Sequence, residues 1–485
     1  MSSHLSDTIT GWSACGLRRA IDQREVACVE VMAAYLDRID AVNPAVNAIV
    51  SRVDREVLLT RARERDDQLR AGDHQGPLHG FPMAIDDLAA TAGVASTSGS
   101  KLHARHVPTQ DDPTVARMKR AGGIVIGKTN EPEFGLGADT RNETFGLTRN
   151  AIEPGRTAGG AGGGGAVSVA LRLQPVADGC DVMGALRTPA AFANVFGFRP
   201  SMGRVPTAPS ADQFVAPLST EGPMARSVRD LALLLSVQAG RDVRAPLSLD
   251  DGTDFLAPLE SDVTGLRIGW LGDLKGYLPM DPGVLATCEA AMGRFEALGC
   301  RVDTATLGMP AAEVWQTWQA WNGWLTAGRL APYATDPTKR ARLSPQVLAE
   351  LERGSRLTAD DAHAASLGRS RFYQRILGPF HRCDFLALPT SQVWPFAAGT
   401  DGPTHIGGME LDSVHRASEV SIYASLAGLP VITVPAGFDA QGLPMGLQLI
   451  GRPQADLSVL KLAAAYESTI GELIARPQAR RGITA

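Results

Sequence analysis

Gly159-Gly160-Ala161-Gly162-Gly163-Gly164-Gly165-Ala166, followed by Gly179-Cys180-Asp181-Val182-Met183-Gly184-Ala185-Leu186-Arg187, is the stretch on which the reading of this chain turns. The glycines show no three-residue period, so collagen is excluded and the run marks a local backbone requirement. On its N-terminal side, residues 81–85 and 122–126 have strand length and some β-branched content, and 112–121 between them has a helical pattern. Residues 167–173, 174–178 and 227–239 continue the alternation. Strand, helix, strand predicts an α/β fold whose sheet is largely parallel and covered by helices on both faces.

Further out, Val29, Met32, Leu36 and Ile39 recur at helical spacing, so residues 1–70 are expected to form a helical segment packed on a core of 71–485. Residues 241–264 are rich in Asp, Pro and Leu without a period and are expected to form a variable linker. Beyond it, 265–271 and 300–307 resemble strands, 282–298 a helix, and 420–434 a helix followed by a strand. Trp315, Trp318, Trp321 and Trp324 fall at three-residue intervals within 311–329. On a helix they make a drifting aromatic stripe, read here as core packing in preference to a ligand-facing wall.

Composition narrows the function. Of 485 residues, 44% are hydrophobic and 20% charged, a balance that can offset the entropy of ordering by burial. Lys+Arg 47 against Asp+Glu 52 gives 47 − 52 = −5, which speaks against a general nucleic-acid binder. No run approaches the ~20 apolar residues of a membrane span. Met1-Ser2-Ser3-His4 opens a polar stretch without a secretory pattern, so a soluble cytoplasmic protein is expected. The six cysteines are scattered without a C-x-x-C pair, against a disulfide framework or structural zinc. The expected partner is a small-molecule ligand, with no metal, cofactor, nucleic acid or membrane; a homodimer is an allowed assembly.

Taken with Gly80-Phe81-Pro82-Met83-Ala84-Ile85-Asp86-Asp87-Leu88 and Gly127-Lys128-Thr129-Asn130-Glu131-Pro132-Glu133-Phe134, the opening motifs resemble the amidase signature family in order and spacing. Gly222-Pro223-Met224-Ala225-Arg226-Ser227, Ala427-Gly428-Leu429-Pro430 and Gly442-Leu443-Pro444-Met445-Gly446 are similar to later motifs of that family. The resemblance runs from about residue 10 to 470. It implies one large α/β/α domain around a mixed, mostly parallel central sheet flanked by helices. It also implies hydrolysis of amide C–N bonds by a lysine base, a serine in a cis peptide, and a serine nucleophile. Backbone N–H groups of the turn before the nucleophile would hold the oxyanion.

Carried over residue by residue, that catalytic set is absent. The lysine position holds Asp86, the relay serine position Ala161 and the nucleophile position Ala185. The separation 185 − 161 = 24 keeps the family register, so misalignment does not explain the change. An alanine methyl has no lone pair, so Ala185 cannot form an acyl-enzyme. With Ala161 the functional reason for a cis peptide after Gly160 is gone. Asp86, if buried, must be hydrogen-bonded, paired or protonated, and a carboxyl so placed is the candidate catalytic acid/base. Gly160, Ala161, Val182, Met183, Gly184 and Ala185 are the candidate substrate-binding residues. Met183 stands where the family favours glycine; were φ positive there, its β-carbon would distort the oxyanion turn.

Cys180, Asp87, Lys128, Asp181 and Arg187 are assigned structural roles, and His405 and His415 are read as satisfied loop histidines. Two readings remain open. One is a repurposed enzyme acting on a small amide-, lactam- or acid-like molecule through Asp86. The other is a catalytically inactive pseudo-amidase that binds a ligand or a partner.

Overall fold

The alternation of strands and helices builds a mixed central sheet covered on both faces. A computed structural model describes residues 8–207, 212–215 and 217–475. Eleven strands matter for the site: β1 Ile49–Val50, β2 Pro82–Asp86, β3 Ile124–Thr129, β4 Ala177–Asp181, β5 Phe196–Arg199, β6 Thr220–Ala225, β7 Arg267–Trp270, β8 Arg301–Thr304, β9 Phe385–Pro389, β10 Val431–Phe438 and β11 Pro444–Ile450. The larger sheet has the order β8-β7-β9-β11-β10-β5-β6-β4, and a smaller one the order β1-β3-β2. The two adjoin at β2 and β4, where the Asp86 N–H donates to Asp178 Oδ1.

The parallel junctions are β2–β3, β7–β8 and β7–β9. The crossover from β2 to β3 runs through the helix Pro113–Arg120, as the sequence pattern predicts. The centre of the larger sheet, from β9 through β11, β10, β5 and β6 to β4, is antiparallel. Strands β9 and β11 are buried along their whole length, the signature of strands covered on both faces.

The N-terminal helices Ala14–Asp22, Cys28–Val46 and Arg55–Arg70 start at sequence-encoded points. Ser13 and Asp54 cap the first and third by accepting backbone N–H groups. Leu17, Val31 and Tyr35 are buried in the same apolar cluster as Phe81, Ile85 and Leu231. Residues 241–264 contain no helix or strand. Helices Ala311–Ala334 and Ala359–Ile376 share an apolar cluster with residues of β9, β10 and β11, and Pro345–Ser355 packs on the first of the two. Among the described residues no helix is long and apolar enough to cross a membrane.

The glycine run serves close approach. It opens the helix Gly163–Ala170, whose first turn presses on the chain leaving β3. A β-carbon on Gly164 would stand 2.4 Å from the Asn130 nitrogen and 2.5 Å from its carbonyl oxygen. Both are backbone atoms and cannot swing aside. Gly164→Ala should therefore destabilise the protein by at least ~1–3 kcal/mol, the cost of overpacking a closed core. A chemical denaturation midpoint equal to that of the parent chain would show that the helix can slide away from β3.

Candidate active site

Asp86 ends β2, Asp178 lies in the neighbouring β4, and both line a cavity of about 1320 Å³. Asp86 Oδ1 accepts the Leu88 N–H at 2.8 Å. Its Oδ2 has no hydrogen-bond partner among the described residues. The Gly179 α-carbon sits beside that oxygen; a β-carbon there would lie 3.9 Å from it. Burial first, and then the charge of Asp178, push the Asp86 carboxyl up to about 7. Burial raises Asp178 to about 6, against the pull of Lys128. Neighbouring buried carboxyls cannot both ionise freely, so the pair is suited to holding one proton between its members near neutral pH.

Lys128 is fully buried on β3 and donates to the Ala89 carbonyl at 2.5 Å and to Thr91 Oγ1 at 2.8 Å. It is not among the cavity-lining residues, and its charge acts on Asp86, Asp87 and Asp178 from behind. That is the structural role expected of it. Asp87 also keeps its structural role, accepting from Thr97 N–H, Thr97 Oγ1 and Gly99 N–H. Cys180 lines the cavity, but burial, with Glu221 and Asp86 adding to it, drives its thiol well above the ordinary range. A thiol so protonated is a poor nucleophile.

Asp181 shapes the turn that follows β4. Its carboxylate accepts Gly184 N–H at 2.9 Å, Leu186 N–H at 3.1 Å, and two N–H groups of Arg187, each at 2.9 Å. Arg199 completes the ion network, and all three side chains are shut from solvent. Burial alone would raise this carboxyl; Arg187 and Arg199 outweigh it and bring it down to about 2. Inside this frame the N–H groups of Val182, Met183 and Ala185 have no partner among the described residues. All three residues line the cavity.

The site residues expected from sequence converge, with one exception. Asp86, Ala161, Val182, Met183, Gly184 and Ala185 all line the cavity. The carbonyl of Ala185 lies 2.0 Å from where a β-carbon on Gly162 would stand, so the glycine run abuts the turn. Gly160 is set behind the wall instead, its carbonyl taking the Thr140 hydroxyl at 2.5 Å and the Gly163 N–H at 3.1 Å. The peptide joining Gly160 to Ala161 is trans. The concern over Met183 is corrected: positive φ falls on Gly184 (φ 90) and not on Met183, whose side chain costs the turn nothing. A β-carbon on Gly184 would meet Ser421 Cβ at 2.9 Å and Thr188 Oγ1 at 3.0 Å.

Sequence reasoning missed other members. Glu131 is fully enclosed and takes the Gly162 N–H on both oxygens, at 2.8 and 2.7 Å. Glu221, on β6, lines the cavity, accepts the Thr114 hydroxyl and is raised by burial to about 8. His405 is an exposed residue of a small hairpin, as read. His415 is different: it lines the cavity and pairs with Glu350 at 2.6 Å. The two lie 65 residues apart in sequence, so no local spacing announces them. The tryptophan stripe divides. Trp315, Trp318 and Trp321 are buried in the core as expected, yet Trp318 and Trp324 also form cavity wall.

Comparison with known proteins decides the ancestry. The family model described as Amidase matches residues 30–460. The chain belongs to the amidase signature family. An acylamidase of Rhodococcus erythropolis is 34% identical over 94% of this chain and 95% of its own length. One component of the glutamyl-tRNA(Gln) amidotransferase of Thermosynechococcus vestitus is 32% identical over 93% of the chain and 97% of its own. Among solved structures, a bacterial aryl acylamidase of the amidase signature enzymes superposes with a TM-score of 0.89 at 30% identity, covering 96% of this chain and 99% of that one. The fold of this amidase signature chain is thus the family's α/β architecture, and its cavity lies where the family motifs meet.

The raised Asp86 carboxyl makes a pH prediction. A carboxyl whose folded pKa lies above its unfolded value takes up a proton share on folding. Asp86 therefore opposes folding increasingly as pH rises from its ordinary 3.8 to about 7, and steadily above that. Asp86→Asn keeps an acceptor for Leu88 and removes the ionisation. Its stability relative to the parent chain should improve between pH 5 and pH 8 by on the order of a few kcal/mol. A stability difference that is the same at both pH values would mean that Asp86 ionises freely.

Proposed function

We propose that this chain is an amide-directed hydrolase that uses water in place of a serine nucleophile, with Asp86 and Asp178 as its acid/base pair. The supporting observation is the placement of two neighbouring buried carboxyls, one with an unpartnered oxygen, on the wall of a cavity that also carries free N–H groups. The ionised member of the pair takes a proton from water as the water oxygen attacks the amide carbon. The developing oxyanion is held by the N–H groups of Val182, Met183 and Ala185. The protonated member then gives its proton to the leaving nitrogen and the C–N bond breaks, yielding carboxylic acid and amine. One carboxyl of each protonation state is what this division of labour needs, as in other paired-carboxyl sites.

The substrate is a small molecule, and an N-acyl aryl amide is the first class to test, because similar proteins include an acylamidase and an aryl acylamidase. The alternative is a pseudo-amidase that binds such a molecule without turning it over. Ala161 and Ala185 favour it, since neither position of the family's serines carries a group that can form an acyl-enzyme.

Hydrolysis of acyl anilides in the presence of hydroxylamine separates the mechanisms. A covalent acyl-enzyme would be intercepted to give hydroxamate; attack by bound water gives only the free acid. We expect free acid alone, a bell-shaped pH profile of kcat/KM, and a loss of at least about 100-fold in both Asp86→Asn and Asp178→Asn, the usual size of a general acid–base contribution. Hydroxamate formation would reveal a nucleophile and defeat the water mechanism. Binding of anilides without any turnover would leave the receptor reading in possession.

A further inference from the structure

The cavity wall opposite the sheet is one face of the helix Ala311–Ala334, which turns Trp318, Asn322, Leu325 and Arg329 towards the open space at helical spacing. Arg329 is the only arginine or lysine among the described lining residues. Its single hydrogen bond is from Nη2 to the Phe134 carbonyl at 3.1 Å, and no carboxylate among the described residues lies within ion-pair distance of it. The contrast with the enclosed arginines is sharp: Arg187, Arg199 and Arg204 are each paired with an aspartate. Arg329 is exposed to the open space of the cavity. A guanidinium has five N–H donors, and the described residues take only one of them here, leaving the others open to a ligand in the cavity. Asn322, two turns or about 10 Å earlier on the same helix, also keeps an amide without a hydrogen-bond partner among the described residues.

From this juxtaposition we infer that Arg329 is a recognition residue for a carboxylate on the ligand, so that the cavity takes amides that also carry one carboxylate group. The planar fork of a guanidinium matches the two oxygens of a carboxylate. The rest of the lining favours a single negative charge. Asp86, Asp112, Asp178 and Glu221 face the same space, and a dianion such as a phosphate monoester would meet their repulsion with one cation to offset it. Arg329 and Asp86 also act on one side chain: the Cys180 thiol is raised by Asp86 and drawn the other way by Arg329. The carboxylate end and the amide end of the ligand therefore address adjoining parts of the cavity. Trp318 and Trp324 add apolar wall to the same cavity, suited to the carbon skeleton of the ligand.

This inference rests on the cavity being the functional site, and it is tested by binding, without turnover. The probes are the N-phenyl monoamides of succinic, glutaric and adipic acid, each paired with its methyl ester, together with phenyl phosphate. Titration calorimetry on the full-length protein should show at least one acid binding about tenfold or more tightly than its ester. Arg329→Gln should bring acid and ester within about twofold of each other by weakening the acid, with the ester little changed, and Arg329→Lys should fall between. If Arg329→Gln does not fold, the Lys variant decides, since a reduced acid preference is required of it. Equal binding of acid and ester to the parent chain would overturn the inference. So would an undiminished preference in the variants, stronger binding of phenyl phosphate, or no binding of any acid up to about 10 mM. The same titrations on Asp86→Asn keep the two claims apart. Acid preference retained there, with turnover absent even in the parent chain, would uphold the carboxylate site and overturn the hydrolase.

Discussion

The Asp181 carboxylate is the constraint on which the site depends. It sits at the end of β4, shut from water, and gathers two backbone N–H groups of the following turn together with Arg187 and Arg199. Arg187 in turn donates to Ser421, Ser425 and Gln448, so one carboxylate couples the turn to β11 and to the chain entering the helix Ile422–Ala427. Removing a partner from such a buried ion pair leaves an uncompensated charge and typically costs ~3–5 kcal/mol. The turn therefore keeps its shape whatever side chain occupies residue 185. That explains how a site can retain free N–H donors while Ala185 offers no hydroxyl.

A second constraint is the distribution of charge behind the wall. Asp86, Asp87, Asp178 and Glu131 are enclosed with Lys128 as the enclosed cation among them, so full ionisation would leave a net negative core. Enclosure makes that expensive, and the expense is relieved by holding protons on the carboxyls whose hydrogen bonding is weakest. Asp87 accepts three hydrogen bonds and can stay ionised more easily than Asp86, which accepts one. Burial also raises Glu131 well above the ordinary carboxyl range, so protons are held there as well as on Asp86 and Asp178. Asp86 and Asp178, both raised, are the members of this group that line the cavity.

Much of the fold was legible because it rests on local signals. The β2–helix–β3 unit and the helical N-terminal segment follow from apolar spacing inside each element, and the turn after β4 was marked by its motif. The antiparallel centre of the sheet was not legible, because β9, β10 and β11 are short buried runs whose direction is fixed by distant partners. Of the candidate site, the motif-borne residues Asp86, Ala161 and Val182, Met183, Gly184 and Ala185 line one cavity. Met183 misled because a departure from the family pattern says nothing of φ until the turn is built, and the strain falls one residue later, on Gly184. Glu221, the His415–Glu350 pair and Arg329 lie on separate elements and carry no motif, so only tertiary structure brings them to the cavity.

The tryptophan helix shows why core and wall need not exclude one another. Three-residue spacing drifts around a helix whose turn takes 3.6 residues, so four tryptophans cannot share one face. Trp315 stacks on Trp318, with ring centroids 5.3 Å apart, and both anchor the helix in the apolar cluster beneath the covering helices. That anchorage fixes the helix rotation, and with it the residues four, seven and eleven positions after Trp318. Asn322 and Arg329 are therefore held towards the cavity by packing that involves neither of them, while Leu325 packs against the same cluster. A specificity element carried on a helix locked by aromatic burial can change its polar residues without disturbing the fold, whereas the turn after β4 cannot. Asp86, Asp178 and the N–H groups of the turn are bound into the sheet, whereas the polar residues of the helix that faces them are not.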